Sequence, residues 1–138
     1  MRSIWIGFVV AMASICLMSA KPLDVGENEY MKSCQPCHGK TGEGDGPRGK
    51  NFTPRPSDLT RLAETNKGVF PFVRVYEVID GTFDVVMHGP MDMPVWGDVY
   101  RRDVQSRLPE KPADHMVDAI ARRRILELIE YISTLPRK

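Results

Sequence analysis

Apolar positions recur with a helical period along most of the chain. Over Phe70 to Asp80, the residues Phe72, Val75, Tyr76 and Ile79 fall at i, i+3, i+4 and i+7, which marks the inward face of a helix. Pro71 suits its first position, and Gly81 suits its stop. The β-branched content (Val73, Val75, Val78, Ile79) would also suit a strand, but the period and the glycine favour helix. Over 113–134, Ile125, Leu128, Ile129 and Ile132 form an apolar stripe flanked by Met116, Val117 and Ile120, and Leu135 before Pro136 closes it. Residues 24–33 predict a shorter amphipathic helix, with Asp24 as N-cap and Val25, Tyr30 and Met31 inward. Gly26 and Tyr30 share a face at i, i+4. Ser57 is placed to cap a short helix through about Asn66, with Leu59 and Leu62 inward. Trp96 to about Arg107 predicts a further helix, with Trp96, Val99 and Tyr100 on one face. The stretch 39–56 holds five glycines and three prolines and reads as loop, as do most of 81–96 and 108–112. No repeat is visible, and the pattern predicts an all-α fold.

The first twenty residues stand apart. Arg2 precedes an apolar run from Ile4 to Met18, and Ser19-Ala20 offers small residues before Lys21. This predicts a secretory signal peptide over 1–20, and a single domain over 21–138. An uncleaved membrane anchor is the alternative, because no charge falls between Ser3 and Ala20. Cys16 is read as an ordinary apolar signal residue. Removing the leader takes one basic residue, Arg2, from the 19, leaving 18 against 18 acidic residues. No basic excess points to nucleic acid, and no membrane span is expected after cleavage. Arg122-Arg123-Arg124 is read as a solvated helix face.

Two cysteines remain in the mature chain, in Cys34-Gln35-Pro36-Cys37-His38. Two intervening residues place both sulfurs on one side of a backbone turn, within reach of two neighbouring haem vinyl groups. The histidine follows at once, so its imidazole can meet the iron from the same face. A thioredoxin-like pair or half of a zinc site would share the C-x-x-C spacing. The trailing histidine, the leader and the lack of a second cysteine pair favour haem. With both cysteines committed, no structural disulfide is possible, and a covalent haem would supply the apolar centre that so small a domain needs. Asp45 among glycines offers one carboxylate, too few for a calcium loop.

Cys37-His38-Gly39, Gly42-Glu43-Gly44-Asp45-Gly46-Pro47, Pro56-Ser57-Asp58-Leu59-Thr60 and Met93-Pro94-Val95-Trp96-Gly97, in this order, resemble the landmarks of a class I c-type cytochrome. The resemblance implies a cytochrome c fold of about four to five short helices around one covalently bound haem c. It implies that Gly26 and Tyr30 meet the C-terminal helix, and that the 39–56 loop gives His38 a backbone carbonyl. Position within the loop points to the Pro54–Pro56 region, and so to Pro56. It also places the family's methionine ligand on Met93, in a loop stiffened by Pro94. Met87, His88 and Met91 are the competing candidates. His88 is read as a loop histidine near the propionates, with bis-histidine ligation as the alternative. Trp96 is placed to cover the haem edge, its indole N–H toward a propionate. His115 is read as structural or exposed.

His38/Met93 ligation would raise the haem potential and leave no vacant position on the iron. The expectation is therefore an exported monohaem electron carrier rather than an enzyme, working in the periplasm between a donor dehydrogenase and an acceptor oxidase or another cytochrome. Two alternatives stand beside it. One is a cytochrome subunit fixed to an exported dehydrogenase. The other is a ligand-binding or catalytic haem protein with a labile sixth ligand.

Overall fold

In the computed structural model the described residues are 22–82, 93–108, 110 and 112–136. The expected leader and the candidates Met87, His88 and Met91 lie outside them. Five α-helices follow one another: α1 (Pro22–Ser33), α2 (Gln35–His38), α3 (Phe72–Asp80), α4 (Trp96–Arg107) and α5 (Asp114–Ser133). Single 3-10 turns at Gly49–Asn51, Leu59–Arg61 and Glu64–Asn66 punctuate the connection from α2 to α3. The fold is all-α, with no strand among the described residues, and none of the described helices is long and apolar enough to cross a membrane.

α5 is the spine. Its Ile125, Leu128 and Ile129 are fully buried, with Val117, Ala121 and Ile132 continuing the stripe. Met116 and Ile120, expected to flank it, are exposed instead. Val117 and Ala121 carry the inward face there, so the first turns of α5 are rotated relative to the expected flank. α1 crosses α5 at Gly26. A Cβ on Gly26 would run into the backbone carbonyl of Glu127 and the Cβ of Tyr131, so only glycine lets the helices approach this closely. One turn on, Tyr30 is fully buried, and its ring lies 5.3 Å from that of Tyr131. The Tyr30 hydroxyl donates to the carbonyl of Gly39 at 2.7 Å, tying the crossing to the cysteine motif.

Several local expectations shift. α1 begins at Pro22, so Asp24 lies in the first turn, where its charge suits the helix dipole, rather than at the cap. Val25 is exposed, since the face carrying Gly26 and Tyr30 meets α5. The 57–66 segment is two 3-10 turns rather than one α-helix. Its cap is Asp58, not Ser57: the carboxylate accepts from the Thr60 N–H at 3.0 Å, and Lys67 in the left-handed region ends the segment. In α3, Pro71 is the cap and Phe72 begins the helix, where its side chain stays 45% exposed. Val75 and Ile79 are buried as the period requires. Gly81 stops α3 at φ 85°, its N–H on the Glu77 carbonyl at 2.9 Å.

Candidate functional site

The cysteine motif folds as a single tight turn against the end of α1. The N–H groups of Cys37 and His38 donate to the Cys34 carbonyl at 3.0 and 2.8 Å. Pro36 stands at the start of α2, where an N–H would have no helical partner. The following loop returns over the turn: Gly44 N–H donates to the His38 carbonyl at 2.8 Å, and Gly46 N–H to that of Cys37 at 3.1 Å. A side chain at Gly46 would strike the Cys37 backbone.

The His38 ring is oriented by its Nδ1, 3.0 Å from the carbonyl of Ser57. A carbonyl only accepts, so Nδ1 carries the hydrogen, and in the neutral ring Nε2 holds the lone pair. That is the arrangement of a metal-ligating histidine. The acceptor is thus Ser57, not a carbonyl of the Pro54–Pro56 region. The Pro56 backbone instead closes on Gly44, and its ring on Gly49, so Pro56 seals the loop. The residue after that carbonyl, Asp58, is extended and caps the following 3-10 turn, a detail that spacing does not reveal.

Beside this turn lies a cavity of about 610 Å³. Cys34, His38 and Met93 all line it. Its walls are mostly apolar: Leu59 and Leu62 from the 3-10 turns, Val75, Val78 and Ile79 from α3, and Ile132 from α5. The volume is in the usual range of small-molecule and cofactor sites. Cys34 is buried and Cys37 half-buried, and the two are not joined to each other. Met93 is half-buried and packs against the core. Cys37 and Trp96 are half-buried but do not line the cavity; Trp96 leans on Tyr100, ring centroids 5.9 Å apart. Among the described residues, no group of three or more His, Cys, Asp or Glu side chains stands ready to cage a bare ion.

Sequence reasoning missed two arginines. Arg124, in the expected solvated face, donates to Asp103 at 2.7 Å and to Glu29 at 2.9 Å, and its guanidinium sits 4.2 Å from the centre of the Tyr100 ring. It joins α1, α4 and α5 beside Cys34. Burial of Glu29 acts to raise its carboxyl, but the bonds from Arg124 and Ser33 outweigh it and hold the group below the ordinary range. The Tyr100 hydroxyl is buried near Glu29, with no partner at hydrogen-bond geometry among the described residues. Arg101 reaches the buried Asp80 of α3 at 2.8 Å and Asp118 of α5 at 2.9 Å. Two acids on other helices are what distinguish each of these arginines from its neighbours, and no local pattern carries that. Arg122 and His115 are exposed as expected.

A family profile described as "Cytochrome C oxidase, cbb3-type, subunit III" matches residues 21–106, from α1 through nearly all of α4. The chain belongs to this c-type cytochrome family. No curated protein and no solved structure gives a match. A c-type cytochrome domain implies a covalently bound haem c, and the residues fit one. The cavity joins the first motif cysteine, a histidine with its tautomer fixed, and a methionine sulfur, within apolar walls.

Proposed function

We propose that this cytochrome is an exported electron carrier whose one haem is attached through Cys34 and Cys37 and ligated by His38 and Met93. The observation that carries this reading is that Cys34, His38 and Met93, separated by up to 59 positions in sequence, line one apolar cavity. When bound, the haem supplies an iron that gains and loses one electron. The protein's part is to hold and shield it. Ser57 fixes the His38 ring, so the proximal ligand needs no rearrangement between oxidation states. The thioether of Met93 favours the reduced state and fills the position a substrate would need. Leu59, Leu62, Val75 and Ile79 exclude water, which disfavours the more highly charged oxidised state in the same direction. On this reading the expected leader over 1–20 directs export, and the carrier works in the periplasm between a donor dehydrogenase and an acceptor oxidase or another cytochrome.

A second reading, a relay subunit fixed to a larger oxidoreductase, is favoured by the family description, which names an oxidase subunit. Val69, Phe72 and Val73 also expose apolar side chains at the start of α3. Purification from the native membrane and periplasmic fractions separates the two: a free carrier elutes alone at the size of one chain, a relay subunit with its enzyme. Covalent haem is tested by haem staining after denaturing electrophoresis. Haem released by acidic organic solvent would refute the attachment.

A further inference from the structure

The polar residues of the cavity are unevenly placed. Arg61, Thr65, Asn66 and Arg74 all line it, and all come from the fourteen positions between the second 3-10 segment and the first turns of α3. Val75, Val78, Ile79 and Ile132 supply apolar lining from the rest of α3 and from α5. Among the described residues, the charged side chains that reach the cavity are Asp58, Arg61 and Arg74, with His38 as the imidazole. Asp58 is committed to the N–H and hydroxyl of Thr60. Arg61 also forks onto Glu64, at 2.7 and 3.2 Å. A haem brings two carboxylates, and burying an anion is costly unless a cation and hydrogen-bond donors meet it. A planar guanidinium matches a carboxylate with two parallel bonds.

Resting on the haem reading above, we infer that Arg74 and Arg61 receive the haem propionates, with Thr65 and Asn66 as supporting donors. The propionate edge therefore faces the 61–74 wall, and Trp96 is not its partner. Trp96 packs on Tyr100 and does not line the cavity. Arg74 stands at the start of α3, on a helix anchored by buried Val75 and Ile79, and so is the firmer of the two clamps. Arg61 lies on a short 3-10 turn without such an anchor and also pairs with Glu64.

The test is the midpoint potential of the haem-loaded full chain as a function of pH, in Arg74→Gln, Arg74→Lys, Arg61→Gln, Trp96→Phe and, as a control cation, Arg122→Gln. A cation beside a carboxyl typically holds its pKa down by about one to three units. Arg74→Gln should therefore move the propionate inflection to higher pH by about one unit. It should also lower the potential above that inflection. Arg61→Gln should do the same to a smaller degree, Arg74→Lys should restore part of the shift, and Trp96→Phe and Arg122→Gln should leave the profile in place. If Arg74→Gln and Arg61→Gln superimpose on the control while haem stays covalently attached, or if Trp96→Phe alone moves the inflection, the propionate assignment is overturned. Should Arg74→Gln fail to mature, Arg74→Lys and Arg61→Gln decide by the same criterion. An unsubstituted chain that carries no covalent haem refutes the reading beneath it instead.

Discussion

The two sides of the cavity are built differently. On the proximal side, the turn carrying Cys34, Cys37 and His38 is held by backbone hydrogen bonds from Gly44 and Gly46, by Ser57 on the His38 ring, and by Tyr30 on Gly39. On the distal side, Met93 reaches the same cavity from a non-helical stretch just before α4, among the side chains of α3. One side is fixed by many small interlocked contacts; to the other, the described residues before α4 bring the single sulfur side chain of Met93. The proximal side should therefore decide whether the holoprotein assembles, and the distal side what the assembled iron can bind.

The largest effect is expected on the proximal side. His38→Ala removes the proposed ligand and the bond to Ser57 together. Because ligation and folding are coupled, no stable holoprotein should accumulate, as read by haem staining of the export fraction. Next comes the crossing that supports the turn. Gly26→Leu meets the Glu127 backbone, which cannot step aside as a side chain would, and should destabilise the holoprotein by about 3 kcal/mol in denaturant unfolding. Arg124→Met strips the buried end of Glu29 of its cation. It should cost about 2 kcal/mol, below the fully buried value because the arginine side chain is 22% exposed.

The same network sets a pH dependence. Glu29 and Asp103 have folded pKa values below their ordinary ones, so they contribute stability that is present above the unfolded values and lost as pH falls through the folded ones. The holoprotein should lose stability as pH drops below about 4.5, and Glu29→Gln should flatten that loss, read as melting temperature against pH. Arg122→Gln, on the exposed face of α5, should change stability by less than about 0.5 kcal/mol.

Much of the architecture was legible because it depends on period and on single small residues. The α5 stripe, the bounds of α4 and the Gly81 stop follow from local sequence, and the meeting of Gly26 and Tyr30 with α5 from the family resemblance. Cys34, His38 and Met93 were singled out by their chemistry, and all three line one cavity. What escaped depends on long-range partners. Arg124 and its exposed neighbour Arg122 are alike in sequence, and only Glu29 and Asp103, from two other helices, set Arg124 apart. The carbonyl on His38 is that of Ser57, directly before the Asp58 cap, rather than one in the Pro54–Pro56 region. The expected helix over 57–66 is instead two 3-10 turns, and Arg61 and Asn66, at the ends of these turns, line the cavity.

The central claim is that the distal position belongs to Met93 and that the protein is a carrier. The most direct measurement is the ferric near-infrared spectrum of the unsubstituted protein and of Met93→Ala, with carbon monoxide titrated into each reduced form. The unsubstituted protein should show the weak charge-transfer band of a methionine sulfur on ferric iron and should not bind carbon monoxide at neutral pH. Met93→Ala should keep its covalent haem, lose the band, drop in potential and bind the gas. A band that persists in Met93→Ala would place the ligand elsewhere. An unsubstituted protein that lacks the band and binds carbon monoxide freely would contradict the carrier itself.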